Sequence, residues 1–445
     1  MPSIDHWMMF GTFGQQRYFV YPRADTYRGV IINANMAAHA PAGLAGFLME
    51  KTGGLDYIID PLTHAFQHDP SAIQNDAGEL KTSFRTIADA YGAPLEDCAG
   101  KRPVLPRDLQ DEIVLKKCVQ RCLEFQKTRL ADAMANTDAM KYLDQSSDDL
   151  APNALVAPYF FMTETTLKRW LPICSRAAAL GVESAPNARV FSAVVVSQGV
   201  VASSEARDQI AAEFEDIDVA GFLLWVDDLD EQTAGMDELK GLVDLARGLR
   251  GKKEREVINL HGGYFSVLAA GVLGDSAMSG VTHAPEFGEY RSVVPVGGGI
   301  PIARYYIPHL HARVRYRDAL RLLNAKGWLD DAADFHRNVC DCQECVSTIE
   351  GNIGNFKSFG VGNVKPIRRG SGIIRIEYPT EETKKRCLRH YLQRKAIEYQ
   401  FSATASAQQI REDLHRGVSE FEEVAGLEQV AHLDLWDDVL SSHTT

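Results

Sequence analysis

The feature that most limits what this chain can become is a series of short, almost uninterrupted apolar runs, each about as long as one strand. They are Gly29–Asn33, Tyr57–Asp60, Ala154–Pro158, Val190–Ser197, Gly221–Val226, Glu256–Leu260 and Ala277–Val281, with Ile302–Ile307 as an eighth. A strand with one wet face alternates apolar and polar residues, whereas one buried on both faces does not. Helical patterns separate the later runs, at Ser204–Phe214, Met236–Leu249 and Phe265–Leu273. Strand and helix alternating in this way predict an α/β fold, a (β/α)8 TIM barrel. A doubly wound open sheet is the competitor. No glycine-rich dinucleotide turn follows the first run, which weighs against it.

The spacing is uneven. Roughly ninety residues separate the second run from the third, far more than an ordinary βα connection needs. Much of that stretch reads as helical, above all Leu109–Tyr142. The expected organisation is a barrel over 1–335 with a helical insertion at 70–150. A zinc-binding subdomain over 336–400 and an acidic, amphipathic surface helix and tail over 401–445 complete it.

The chain has 445 residues and a formal net charge of −13. That balance argues against a protein that coats nucleic acid by bulk electrostatics, and leaves room for an enzyme with a local basic channel. Lys and Arg cluster at Lys365–Arg369 and Lys384–Arg386, where a solvated surface is the plainer reading. No apolar stretch approaches the ~20 residues of a membrane span. The first residues show no basic region followed by an apolar run, so no secretory leader is expected.

Of eight cysteines, Cys98, Cys118, Cys122 and Cys174 are scattered, and four lie between 340 and 387. Cys340, Cys342 and Cys345 place three thiols in six residues, a loop that can present three ligands to a tetrahedral metal. Clustered cysteines in a long acidic chain point to metal binding and a cytoplasmic location. A fourth ligand is needed. Cys387 and His390, three apart on one predicted helix, both qualify by geometry.

A Cys-x-Cys-x2-Cys loop followed by a helix with His390-Tyr-Leu392 resembles the C-terminal zinc site of the tRNA-guanine transglycosylase superfamily. The resemblance favours His390 over Cys387 and implies a structural Zn2+. The longer separation here implies an inserted hairpin over Gly351–Tyr378. Asp60-Pro-Leu-Thr-His64-Ala-Phe66-Gln67 is similar to the family's Asp-Ser-Gly-Gly-Phe-Gln, lengthened by two residues and without its glycines. The matching aspartate there is a catalytic acid/base, so Asp60 is the first catalytic candidate; a turn or helix-cap aspartate is the bland alternative. Ser197-Gln198-Gly199 resembles the family's Val-Gln-Gly-Gly, whose Gln bonds the purine. Asp227 and His261 stand at the next strand ends and join Gln198, Gly199 and Phe66 as candidates for holding a base; Trp225 is a further aromatic that could stack on it. His283 ends the seventh run. The family's nucleophilic aspartate on that run falls on Ser279 when counted without gaps from Gly274. A shifted alignment places it on Asp275, the second catalytic candidate.

Cleaving an N-glycosidic bond makes an oxocarbenium-like sugar, which a carboxylate can stabilise, attack or hydrate through water. The resemblance implies such chemistry on a nucleobase in nucleic acid, with DNA favoured over tRNA and excision of a modified base favoured over insertion of a 7-deazaguanine. Excision would suit defence against foreign DNA. A non-catalytic, zinc-bearing partner subunit is the alternative from another class. A homodimer built near the zinc region is also implied by resemblance.

Overall fold

The computed structural model describes residues 4–10, 27–50, 55–135, 150–273, 277–283, 289–294, 302–369 and 372–444. Nine short parallel strands fill the eight staves of a barrel: β1 (Asp5–Met9), β2 (Gly29–Asn33), β3 (Asp56–Asp60), β4 (Leu155–Val156), β5 (Phe161–Met162), β6 (Val190–Val196), β7 (Gly221–Val226), β8 (Glu256–Asn259) and β9 (Gly280–His283). The order runs β3-β2-β1-β9-β8-β7-β6-β4, with β5 extending the fourth stave beside β6. A parallel bridge between Ile58 and Ala154 closes the ring. The expected (β/α)8 barrel is the fold of the chain.

The count of staves differs from the sequence reading at both ends. The first stave is Asp5–Met9, whose Trp-Met-Met lacks the β-branched residues that mark a strand. The run at 302–307 is not a stave. Its β10 (Arg304–Ile307) turns back antiparallel on β11 (Ala312–Arg315), outside the barrel.

Side chains alternate strictly. Trp7, Ile31, Ile58, Phe191, Leu223 and Ile258 fill the barrel interior, while their neighbours face the helices. Two glycines make that filling possible. A Cβ at Gly29 would lie 2.4 Å from the Trp7 ring, and one at Gly221 would lie 2.6 Å from Phe191.

The long connection after β3 contributes to the helical layer itself. Its helix Glu112–Ala135 packs between helices Pro41–Glu50 and Leu167–Ser184. From there Gln126, fully buried, behaves like a missing strand. Its amide donates to Val156 O at 2.8 Å and accepts from Val156 N at 2.8 Å. The last residues are likewise no loose tail. Helices Ala407–Ala425 and Leu427–Thr444 pair and dock on the barrel, with Trp436 only 1% exposed and its indole N–H bonded to Glu231 O. No helix among the described residues is long and apolar enough to cross a membrane.

Gln126→Leu keeps the volume but strands one buried N–H and one buried C=O. It should lower unfolding free energy by about 2–5 kcal/mol, read from a denaturant midpoint shift at unchanged slope.

Candidate active site and metal centre

The carboxyl ends of the staves gather the titratable side chains. Asp60 ends β3 and is 1% exposed. After it, Pro61 and Leu62 reverse the chain. Leu62 adopts φ 54°, a left-handed conformation uncommon for a non-glycine residue, and its N–H bonds Asp60 Oδ1 at 3.0 Å. Strain of this kind, of order 1–3 kcal/mol, tends to be kept where geometry serves function.

Tyr159, arriving at the end of the fourth stave, donates its hydroxyl to the same Oδ1 at 2.6 Å. His64 Nδ1 lies 3.0 Å from that hydroxyl. Thr63 locks the two segments together: its hydroxyl accepts from Tyr159 N at 2.8 Å and donates to Tyr159 O at 2.5 Å. Gln67 repeats the device on Phe161, with both bonds at 2.7 Å.

Trp225 closes the cluster from β7. Its ring meets His64 edge-on at 5.3 Å and His261 at 4.9 Å, and its indole N–H bonds Arg291 O. His261 Nδ1 is buried without a hydrogen-bond partner among the described residues. Burial raises the Asp60 carboxyl, while the Tyr159 hydroxyl, the Leu62 N–H and the nearby Arg291 pull it back. Burial depresses His64 and His261 to about 3, so both are neutral at pH 7. A carboxyl with a raised pKa beside neutral imidazoles and an indole can exchange a proton or stabilise a cation in an apolar surround.

The candidates read from the sequence divide into three groups. Asp60, His261 and Trp225 converge on this cluster. Gln198 and Asp227 stand at its rim but hold loops: the Gln198 amide donates to Asp227 O and Asp228 O at 3.1 and 2.9 Å, and Asp227 accepts from Val293 N at 2.6 Å. Gly199 lies against the carboxylate end of the Glu164 side chain. Phe66 packs on Phe84 in the layer between barrel and helices. His283 also points outward, against Tyr391 and His6. Asp275 lies outside the described residues. Ser279 sits just before β9, bonded to Val257, at the opposite end of the barrel from Asp60. Tyr159, His64 and Arg291 were not singled out as site residues. For His64 there was a signal, its place in the segment after β3; for Tyr159 there was only its position past the fourth run.

The second cluster is Cys340, Cys342, Cys345 and His390, all buried, with ligand atoms within 4.8 Å of one another, a group able to hold a metal ion. His390 Nδ1 lies 3.7, 3.4 and 3.3 Å from the three sulfurs in turn. Its Nε2–H donates to Tyr306 O at 2.8 Å, which leaves Nδ1 as the lone-pair nitrogen, and Tyr305 stacks on the ring at 4.3 Å. Burial alone would depress His390, but the Cys340 thiolate overrides it and the ring is raised to about 10. Cys387 is the other candidate, and the structure turns it away: its thiol bonds Phe359 O, and burial pushes it up to about 12.

Comparison with models of known protein families finds no match to this chain, and comparison with curated proteins finds none either. The family resemblance therefore rests on the motifs alone.

Elemental analysis of the purified chain should find one metal ion per molecule. Cys387→Ser should retain it, and His390→Ala should lose most of it; the reverse pattern would reassign the fourth ligand.

Proposed function

We propose that this chain is an enzyme that breaks the N-glycosidic bond of a nucleobase in DNA, with excision favoured over exchange. The observation that carries the reading is the buried Asp60 carboxyl at the barrel mouth, held by Tyr159, whose hydroxyl also meets His64 of the His64–Trp225–His261 ring cluster. In TIM barrels the chemistry sits at this end. A base turned out of its stack would meet the indole and imidazole rings, while its sugar C1′ approaches Asp60. The carboxylate then stabilises the oxocarbenium-like carbon or takes a proton from an attacking water. The C1′–N bond breaks with its electron pair going to the base, which takes up a proton. The water oxygen bonds C1′, leaving an abasic sugar.

Exchange requires the cleaved sugar to be held until a new base arrives, usually by a second carboxylate acting as nucleophile. Of the other candidate aspartates, Asp227 is engaged with Val293 N at the rim and Asp275 lies outside the described residues. Excision asks only for Asp60 and water, which is why it is favoured.

We assign the metal as zinc with a structural role. Zinc bonds sulfur at ~2.3 Å and nitrogen at ~2.0 Å, so a tetrahedral site sets sulfur about 3.5 Å from nitrogen. The observed separations of 3.3 to 3.7 Å bracket that value. Three thiolates and an imidazole would complete the coordination, leaving no open position, so the ion would hold the fold and take no part in the chemistry.

The test is mass spectrometry of bases released from modified and unmodified DNA and from tRNA, with alkaline cleavage to reveal abasic sites. Free base with abasic DNA is the expected result. Base released only when a free deazaguanine is supplied, with the strand intact, would mean exchange. Asp60→Asn should cut the rate at least ~100-fold. It should not lower the melting temperature, because the amide removes a charge that burial disfavours. A fully active variant would remove Asp60 from the mechanism.

A further inference from the structure

Strands β12 (Gly362–Arg369) and β13 (Gly372–Pro379) form a two-stranded ribbon that pairs with no other strand among the described residues. Eight residues per strand make it about 26 Å long at ~3.3 Å per residue. A lone hairpin in a globular protein usually lays one face on a core. Here Val364 is 63% exposed on one strand, and on the other the adjacent Ile373 and Ile374, which point to opposite faces, are 74% and 37% exposed. Lys365 and Arg375 are exposed as well. The segment carries Lys365, Arg368, Arg369 and Arg375 against Glu377 alone, in a chain of formal net charge −13. Glu377 is already paired with Arg317 at 2.9 Å.

The base of the ribbon is firmly held. Thr380 N and the Thr383 hydroxyl both bond Val361 O, at 3.1 and 2.8 Å. Thr383 opens the helix Glu381–Thr404 that presents His390 to the metal cluster, and the cysteine loop lies on the other side of the ribbon in sequence. The cluster therefore closes a long loop whose tip is this arm, and fixes where the arm leaves the body.

We propose that the ribbon is an arm that binds duplex DNA by entering a groove. A two-stranded ribbon fits the ~12 Å major groove of B-DNA. Its cations would meet phosphates on either wall, and the exposed isoleucine and valine side chains would meet thymine methyls or wedge a base step. The deep, narrow major groove of duplex RNA would refuse it. The inference deepens the DNA reading above, but stands on the arm's own charge and exposure.

The experiment compares full-length wild type with Lys365→Glu/Arg375→Glu and with Ile373→Ser, using fluorescence anisotropy on a short labelled DNA duplex, its RNA counterpart and a DNA single strand over a salt series. Retained metal content and circular dichroism confirm that each variant is folded. The charge reversal should weaken duplex DNA binding at least ~10-fold and reduce the logarithmic salt slope by about two, near one per lost phosphate contact. Ile373→Ser should weaken affinity with the slope unchanged. Unchanged affinity and slope in the folded charge-reversal variant would overturn the proposal, as would preference for duplex RNA or the single strand. A dimer in sedimentation that Ile373→Ser dissolves, with DNA binding intact, would assign the arm to a second copy and overturn it too. If binding depends on the arm but no base is released from any substrate, the arm stands and the glycosidic reading fails.

Discussion

The structure depends on one seam. A parallel barrel leaves backbone donors and acceptors at any unclosed edge, and buried ones must find partners. Here the edge between β3 and β4 has to close across the longest connection in the barrel. A single bridge, Ile58 to Ala154, and the bond from Asn153 N to Tyr57 O at 2.8 Å make the closure. Gln126 supplies the remaining pairing for Val156. Above the seam, Thr63 and Gln67 bond the backbone of Tyr159 and Phe161 reciprocally. The result is that Asp60 meets the Tyr159 hydroxyl although ninety-nine positions separate them. The geometry of the candidate active site is thus set by the closure of the fold, and its side chains are held before any ligand arrives.

The C-terminal third is attached by different physics. Lys395, 1% exposed, pairs with Glu289 at 2.5 Å and Glu398 at 2.9 Å. His311 bridges Glu398 and Asp413 at 2.8 and 3.1 Å. Buried charges tolerate one another only when paired, so this chain of groups prescribes how helix Glu381–Thr404 sits on the barrel more than it adds stability. Tyr399 adds a bond to Val281 O on β9. The same helix carries His390, so the metal cluster, the ion chain and the last stave share one rigid element.

Much of this was legible in the sequence, and what was not has physical causes. Runs such as Val190–Val196 announce strands buried on both faces because no polar residue interrupts them. The run at 302–307 has the same signature, and a short apolar run does not encode the direction of its partner. Asp5–Met9 carried too little β-propensity to be seen. Three cysteines in six residues marked the metal loop, but helix spacing alone could not separate Cys387 from His390. The carbonyl of Phe359 does, by engaging the Cys387 thiol. The direction of Phe66 was not legible because the 3-10 turn Thr63–Gln67 is too short for periodicity to say which way a ring points. Tyr159 was missed because only tertiary closure brings it to Asp60.

The central claim is that the Asp60 carboxylate, tuned by burial against the Tyr159 hydroxyl, is the reacting group. Its most direct test is the single-turnover rate of base release against pH, in wild type and in Tyr159→Phe. Burial raises the carboxyl and the Tyr159 hydrogen bond lowers it, because that bond favours the ionised form. The rate should therefore rise with pH through a value above the usual carboxylate range. Removing the hydroxyl should move that limb to still higher pH, with the plateau less affected than the midpoint. An acidic limb that stays in place when Tyr159 loses its hydroxyl would show that another group titrates, and would contradict the account.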